Sequence, residues 1–247
     1  MTFLLNSTQK NYTTNDKDYY KLKNSLKDGQ ELKVKSYVLA VDIPNINEYN
    51  KDVIVDDGSV SYPVVLTEGL YNHLDLRTEV ENALNATGSA IYTVVFSNGK
   101  YTINSNVPIT YKKLTENKSI WDMMNIRLNS PVTVNAGGPP NINPTNYINI
   151  GSFELTRFKR INDTGSSNNG NLLCSVRAFN SDELFNAQNL NGPDTVNSRL
   201  LSDEFYNYKS IIINPRQTIT QVDIMITDDD GNSILKYVTY SLEMLIE

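Results

Sequence analysis

Three turn pairs shape the expected fold: Asp57-Gly58, Asn98-Gly99 and Asp230-Gly231 each lie between two runs in which apolar and polar residues alternate. Glycine after Asp or Asn supplies the positive φ angles of a tight hairpin turn, and alternation with a period of two indicates a strand with one buried face. A chain with this pattern pairs neighbouring strands, so the sequence predicts antiparallel β structure.

The first two hairpins have self-consistent predicted registers. Counting outward from Asp57-Gly58, the predicted pairs are Val55 with Val60 and Val53 with Tyr62. Counting outward from Asn98-Gly99, the predicted pairs are Phe96 with Tyr101 and Val94 with Ile103. Pro63 has no N–H to donate to a ladder, which predicts that this point lies at a sheet edge or a bulge.

One clear helix is predicted, within LDLRTEVENALNATG. Leu76, Val80 and Leu84 recur there every four residues, Asn72 or Asp75 can cap the start, and Gly88 can end it. The later cluster SIWDMMNI contains the lone tryptophan, Trp121, and predicts a helical turn that plugs the core.

Other segments are predicted as strands or loops. Strands are expected from Glu31 to Ile43, within 147–161 and 171–179, and on both sides of Asp230-Gly231. Residues 130–146 hold two glycines and three prolines and are predicted to be a long loop, and residues 181–209 are predicted to be irregular.

These elements predict an all-β fold. Eight to ten strands, one clear helix, no βαβ alternation and no fixed repeat favour a single jelly-roll β-sandwich over residues 31–247. Residues 67–130, with the helix and the second hairpin, are expected to be a small inserted helix-plus-hairpin module. Residues 1–30 are polar and Lys-rich, without regular apolar spacing, and are expected to be a flexible amino-terminal arm.

Charge and composition exclude several classes of protein. The chain has 247 residues and a net charge of −6, so general nucleic-acid binding is not expected. There is no apolar run of about 20 residues and no signal-peptide pattern, which predicts a soluble protein made inside a cell. Residues 1–35 hold seven Lys against four acidic residues, whereas residues 181–247 hold four basic against eleven acidic ones. This asymmetry predicts either a solvated face or a contact between copies.

No catalytic, cofactor-binding or metal-binding residue is predicted, and the chain is not expected to be an enzyme. The single histidine, His73, has no nucleophile motif beside it, and the single cysteine, Cys174, lies in an apolar alternation typical of a buried thiol. The acidic clusters could form calcium ligands or a carboxylate site, but Asp-Gly is also the ordinary chemistry of a turn. These clusters are Asp56-Asp57, Asp203-Glu204 and Asp228-Asp229-Asp230.

The order of segments resembles a known family. The succession VVLTEGLYNHLDLRTEVENALNATG, YTVVFSNGKYTINS and SIWDMMNI is similar to the short helix, hairpin and small hydrophobic helix of penton and minor capsid proteins of virophages and related large DNA viruses of eukaryotes. The closing segment TQVDIMITDDDGNSILKYVTYSLEMLIE resembles the end of those proteins, and SYVLAVDIPNINEYNK also fits. One departure is Met124-Asn125-Ile126, where Leu-Gly-Phe is expected.

The resemblance implies a structural capsid protein of the virion, synthesised in the cytoplasm of a host cell. It implies a penton that closes five-fold vertices as a homopentamer beside a double-jelly-roll major capsid protein. A non-vertex minor capsid or cement protein is the nearest alternative. A carbohydrate-binding jelly roll with Tyr and Trp as sugar platforms, or an enzyme with an unrecognised carboxylate site, also remains open at this point.

Overall fold

The computed structural model describes residues 2–27, 29–88, 90–113, 119–126, 129–130, 133–143, 145–156, 172–178, 199–204, 211–212 and 218–247. The helices are α1 His73–Ala86, α2 Ile120–Met123 and α3 Phe153–Thr156, with 3₁₀ turns at Ser7–Gln9 and Leu235–Tyr237. The strands are β1 Thr2–Asn6, β2 Tyr12–Thr14, β3 Lys17–Leu26, β4 Glu31–Val41, β5 Asp52–Asp56, β6 Ser61–Val65, β7 Tyr92–Ser97, β8 Lys100–Ser105, β9 Ile109–Lys113, β10 Asn129–Ser130, β11 Thr133–Asn135, β12 Tyr147–Gly151, β13 Leu172–Arg177, β14 Arg199–Glu204, β15 Ile211–Ile212, β16 Ile219–Thr227 and β17 Val238–Ile246.

The chain divides into two compact units. Unit 1 comprises Met1–Ile43, Thr145–Ala178 and Asn197–Glu247, and unit 2 comprises Pro44–Pro144 and Phe179–Val196. Unit 2 is therefore wider than the 67–130 module expected from sequence, because it also contains the β5–β6 hairpin and the segment that follows α2.

Unit 1 contains two antiparallel sheets. The first has the order β1-β17-β4-β14, with β15 also paired to β4, and the second has the order β13-β12-β16-β3-β2. Consecutive strands change sheet at several points, among them from β3 to β4 and from β16 to β17. Such crossings between two facing sheets are typical of a jelly roll. The turn at Asp230-Gly231 thus joins two strands, as predicted, but it carries the chain between sheets instead of closing a hairpin.

The strong alternation of β16 and β17 is explained by burial between the two sheets of unit 1. Val222, Ile224 and Ile226 of β16 are fully buried, and the inward residues of β17 are Tyr240, Leu242, Met244 and Ile246. Burial of aliphatic and aromatic side chains from both sheets forms the core of a sandwich.

A polar cluster crosses this apolar core. The Tyr20 hydroxyl on β3 donates to the Tyr240 hydroxyl on β17 at 2.7 Å, and the Tyr240 hydroxyl donates to the Asp18 carboxylate at 3.0 Å. Asp18 is only 1% exposed, and it also accepts from Thr13 at 2.6 Å and pairs with Lys10 at 2.8 Å. Burial raises the pKa of Tyr20 to about 12. The cluster ties the amino-terminal segment and both sheets together.

The expectation of a flexible arm over residues 1–30 is wrong for most of that segment. Residues 2–6 pair with β17 and residues 17–26 pair with β16, and Leu5, Tyr20 and Leu26 are buried. The apolar periodicity is hidden because an inward position of β3 is occupied by Asp18, whose charge is neutralised by Lys10. Instead, this segment docks on the chain's own sheets as added strands.

Unit 2 holds a four-stranded sheet, β10-β9-β5-β6, and a three-stranded sheet, β11-β8-β7. Helix α1 begins after the Asn72 cap, whose side chain accepts from the N–H groups of Leu74 and Asp75, and it buries Leu76, Val80 and Leu84 as predicted. Helix α2 has a capping box formed by Ser119 and Asp122. Trp121 is fully buried and packs edge-on against Tyr111 at 4.9 Å, so α2 does plug the core.

The two predicted hairpins differ in outcome. At Asn98-Gly99 both residues have positive φ, and the predicted pairs of Phe96 with Tyr101 and Val94 with Ile103 are confirmed. At Asp57-Gly58 only the glycine has positive φ, and the turn is centred one residue later, so Val55 pairs with Tyr62 and Val53 pairs with Val64.

Side-chain hydrogen bonds explain the shifted turn. The Asp56 carboxylate accepts from Gly58 N–H at 2.8 Å, and the Asp57 carboxylate accepts from Ser59 and Val60 N–H at 2.9 Å each. These bonds place Val60 in the turn instead of in the ladder. The hydrogen bond that the Lys112 ammonium group donates to Asp56, together with the bond from Gly58 N–H, lowers the pKa of Asp56 to about 2.

Two segments predicted as irregular contain strands. Thr133–Asn135 pairs with β8 inside the predicted 130–146 loop, and Arg199–Glu204 pairs with β4 inside the predicted irregular 181–209 segment. Both strands are completed by a partner distant in sequence, so local composition does not reveal them. The polar segment NDTGSSNNG at 162–170, between two predicted strands, lies outside the described residues.

We expect Tyr240→Phe to destabilise the protein by about 1–3 kcal/mol, because it removes the acceptor of buried Tyr20 and a donor to buried Asp18. Tyr12→Phe is the matched control. Tyr12 is 49% exposed and its hydroxyl accepts from Gln221 at the surface, so this variant should change stability by less than about 0.5 kcal/mol. Urea unfolding of both variants measures the difference, and equal stabilities would contradict a structural role for the polar cluster.

Candidate assembly surfaces

The two residues with the most familiar chemistry, the single histidine and the single cysteine, both lie in packed surroundings. His73 lies in the first turn of α1, stacked on Phe96 with ring centroids 4.6 Å apart, and its Nδ1 lies 3.1 Å from the Tyr101 hydroxyl. Cys174 is half-buried in β13, and burial raises the pKa of its thiol to about 12. A thiol with this pKa is protonated near neutral pH and is a poor nucleophile.

The carboxylates of the DDDGN turn are engaged by protein N–H groups. Asp228 accepts from the backbone N–H groups of Asp230 and Asn232 and from the Asn232 side chain, at 2.8–3.0 Å. Asp229 accepts from the N–H groups of Asn146 and Tyr147 at 2.7 and 3.0 Å, which fastens the turn to the start of β12. Burial raises the pKa of Asp228. These bonds assign the turn a structural role.

The other carboxylates do not gather into a site within the described residues. Asp56 and Asp57 close the β5–β6 turn. Asp203 and Glu204 lie in β14, where only the backbone is described. No three His, Cys, Asp or Glu side chains of the described part of the chain are grouped to hold a metal ion.

Part of the uneven charge of the sequence is paired within the chain. Lys17 lies 3.6 Å from Asp223, which is 1% exposed, and Lys33 and Lys35 pair with Glu247 and Glu243 at 2.7 and 3.0 Å. Basic residues of the amino-terminal segment thus lie beside acidic residues of the carboxyl-terminal strands. This pairing involves three of the seven lysines of residues 1–35, and the expectations of a solvated face and of a contact between copies stay predictions.

The buried carboxylate of Asp223 also orients α3. It accepts from the Ser152 hydroxyl at 2.9 Å and from the N–H groups of Phe153 and Glu154 at 3.1 and 2.7 Å. A carboxylate at these positions satisfies N–H groups that have no partner inside a helix. The short helix is therefore held over β16 by a residue of that strand.

In unit 2, the free edge of β7 is covered by α1. The Asn85 side chain accepts from Tyr92 N–H at 2.9 Å and donates to Tyr92 C=O at 3.0 Å, and Glu81 accepts from Val94 N–H at 2.8 Å. These side chains take the place of a neighbouring strand. An edge covered in this way cannot pair with another chain.

The edge of β6 is protected by proline. The bonds Leu66 N–H to Lys51 C=O and Asp57 N–H to Val60 C=O fix the alternation of the β5–β6 ladder, so the amide nitrogen of Pro63 lies on the side away from β5. β6 is an edge strand, as predicted from Pro63. The missing N–H interrupts the row of donors that an added strand would need.

Unit 2 also exposes large apolar side chains. Ile91 and Val65 are 70% and 62% exposed, and the others are Val60, Leu70, Leu74 and Val95. In contrast, Trp121 and six of the described tyrosines are core residues: Tyr20, Tyr37, Tyr92, Tyr101, Tyr111 and Tyr240. The exposed apolar residues are the kind of surface that takes part in protein contacts.

The fold and these surfaces define a jelly-roll β-sandwich protein with a second β unit. The structure of the mavirus penton protein is similar to this chain, with a TM-score of 0.51 and 12% identity over 100% of this chain and 99% of the other. The structure of the Sputnik virophage contains a chain that matches with a TM-score of 0.44 and 10% identity over 98% and 97%. No family profile and no curated protein sequence matches the chain.

The likeness to the mavirus penton protein shows a shared fold. It confirms, at the level of the fold, the resemblance to virophage penton proteins seen in the sequence, together with the all-β class. None of the helices in the described part of the chain has the length and hydropathy that a membrane-spanning helix requires.

We expect Asn85→Ala to be about 1 kcal/mol less stable than Asn82→Ala, because Asn85, unlike Asn82, bonds to backbone groups at the edge of β7. Asn82 is exposed on the same helix, so both variants share the helix-propensity gain of up to about 0.7 kcal/mol. Thermal and urea unfolding of the pair measure the difference. Equal stabilities would show that water replaces the Asn85 side chain at this edge without cost.

We expect calcium or a chelator to leave the melting temperature unchanged, because protein N–H groups already occupy the carboxylates of Asp228 and Asp229. Calorimetry with and without millimolar calcium tests this expectation. A rise of several degrees with calcium would contradict the structural role of this turn.

Gly231 has φ +84°, so Gly231→Val should lower the free energy of unfolding by about 1–2 kcal/mol, and Gly231→Asn should lower it by less.

Proposed function

We propose that this chain is a structural capsid protein of a virus, and that it is the penton that closes icosahedral five-fold vertices as a homopentamer. The observation that carries the proposal is the likeness in fold to the mavirus penton protein, which extends over both chains almost completely. Agreement over the full length means that both units, and not only a common sandwich, have counterparts in that protein.

The chemistry of the described residues is consistent with a structural role. Its buried polar groups serve turns, helix starts and sheet contacts: Asp18 joins the two sheets of unit 1, Asp223 orients α3 and Asp228 closes a turn. Polar groups used in this way stabilise the fold, which is what a structural component of a particle requires. We therefore infer that the protein is not an enzyme.

A ring of five uses a heterologous contact, in which two different patches of each subunit meet. The exposed apolar residues of unit 2 supply candidate contact surface, since the described edges of β6 and β7 are closed to strand pairing. The proposed partners are four further copies and a double-jelly-roll major capsid protein, and the proposed location is the virion, after synthesis in the cytoplasm of the host cell.

Carbohydrate binding is less well supported. A sugar platform needs an aromatic face open to solvent, and Trp121 is fully buried. Tyr12 is exposed, but its ring stacks on Tyr19 with centroids 4.8 Å apart, so one face is already covered. Trp121 and the buried tyrosines are better explained by packing than by glycan recognition.

We expect the purified protein, or the protein recovered from particles, to have the mass of five 27.8 kDa chains. Size-exclusion chromatography with light scattering measures this mass, and electron microscopy of particles locates the protein. A monomer at high concentration, together with absence from five-fold positions, would contradict the penton role. A protein found at non-vertex positions would instead support a minor capsid or cement protein.

A further inference from the structure

The free edge of β1 lacks the protection that covers β6 and β7. Strand β1 lies at the end of the first sheet of unit 1 and pairs with β17 along its whole length, from Thr2 with Leu245 to Asn6 with Ser241. The described residues provide neither a proline nor a covering side chain on its other side. Its sequence, TFLLN, also lacks the lysine or other charge that usually discourages pairing at an edge.

The ladder alternation shows which backbone groups of β1 face outward. Asp42 N–H donates to Tyr237 C=O, and Tyr240 N–H donates to the Ser7 hydroxyl. The backbone N–H and C=O groups of alternate residues of β17, beginning at Tyr240, therefore point towards β1, and those of the residues between them point towards β4. The backbone groups of Leu5 and Phe3, which pair with Leu242 and Met244, point towards β17. The N–H and C=O groups of Thr2, Leu4 and Asn6 consequently point away from the sheet.

This outward row is symmetric about Leu4. If a second β1 approaches antiparallel, Leu4 lies opposite Leu4, and Thr2 lies opposite Asn6 in both directions. All outward donors then meet outward acceptors in hydrogen-bonded pairs, in which the C=O of Asn6, the N-cap of the 3₁₀ turn Ser7–Gln9, accepts a second bond besides that of the turn. No like charges are opposed, because the strand carries none.

The side chains favour the same arrangement. Leu4 is 56% exposed on the outer face of the sheet, and the symmetric register places it beside its own copy. Phe3, which is half-buried, would lie beside Leu5 on the inner face and extend the core across the contact. Directly opposed apolar side chains stabilise antiparallel pairs.

We propose that the free edge of β1 pairs antiparallel with β1 of a second copy of this chain, joining two first sheets into one continuous sheet. This contact is isologous, with the same strand on both sides of a two-fold axis. It is therefore separate from the heterologous contact of a closed ring and does not rest on the penton role. Its consequence is association in even numbers: two monomers, or two rings.

The closing experiment compares the full chain with Leu4→Pro and Leu4→Thr. Leu4 N–H does not bond to β17, so proline removes only an outward donor, as Pro63 does in β6. Thr keeps the N–H and a high strand propensity but removes the apolar contact. Light scattering over a range of concentrations should show a species that Leu4→Pro halves in mass and that Leu4→Thr retains. An unchanged melting temperature under conditions in which each protein is unpaired verifies that the variants fold.

Amide hydrogen exchange of the wild-type chain tests the proposal without a substitution. The N–H groups of Thr2, Leu4 and Asn6 should exchange more slowly as concentration rises, whereas those of Phe3 and Leu5 should be protected at all concentrations. Fast exchange of the outward groups throughout would overturn the proposal. Slowing only after another polypeptide is added would overturn the choice of a second copy.

The outcomes separate this proposal from the penton role. A ring of five whose mass is unaffected by Leu4→Pro would support the ring and overturn strand pairing. A dimer that Leu4→Pro converts to a monomer would support strand pairing and contradict the ring. Loss of association in both Leu4→Pro and Leu4→Thr would assign it to the leucine side chain and overturn pairing through the backbone.

Discussion

The need to satisfy backbone groups at strand edges is the constraint on which the rest of this structure depends. A chain of short strands divided among four sheets has many edges, and each unpaired row of N–H and C=O groups invites another strand. Unit 2 meets this need with the side chains of α1 along β7 and with Pro63 in β6. Unit 1 leaves β1 uncovered by any described residue, and this contrast with β6 and β7 makes β1 an edge where association is expected.

Buried carboxylates also stabilise the fold, because they connect elements that the hydrophobic core alone would not orient. Asp18 is held by Lys10, Thr13 and Tyr240, and Asp223 holds the start of α3. Leaving such a group without its partners is costly, so the geometry around each one is specified closely. In a protein proposed to serve as a rigid particle component, these polar contacts fix how the strands and α3 of unit 1 are joined.

Local patterns predicted the elements whose partners lie nearby in sequence. The Asn98-Gly99 hairpin, α1 with its Asn72 cap, and the capped turn at Trp121 all follow from a few adjacent residues. The Asp57-Gly58 turn shows the limit, because two aspartate side chains compete for the same N–H groups and shift the register. His73 and Cys174 were set aside on local grounds, because no nucleophile motif accompanies the histidine and an apolar alternation surrounds the cysteine.

The sequence by itself determined the all-β class, the main strands and the absence of a recognisable catalytic motif, because periodicity and turn chemistry are local properties. Only the tertiary structure decided that residues 2–26 pair with β17 and β16, since Asp18 interrupts their apolar pattern and its charge is balanced by Lys10. It also decided that β16 and β17 lie in different sheets and that the charges of the two ends pair within the chain. These features depend on residues far apart in sequence, and composition carries no information on which of them meet.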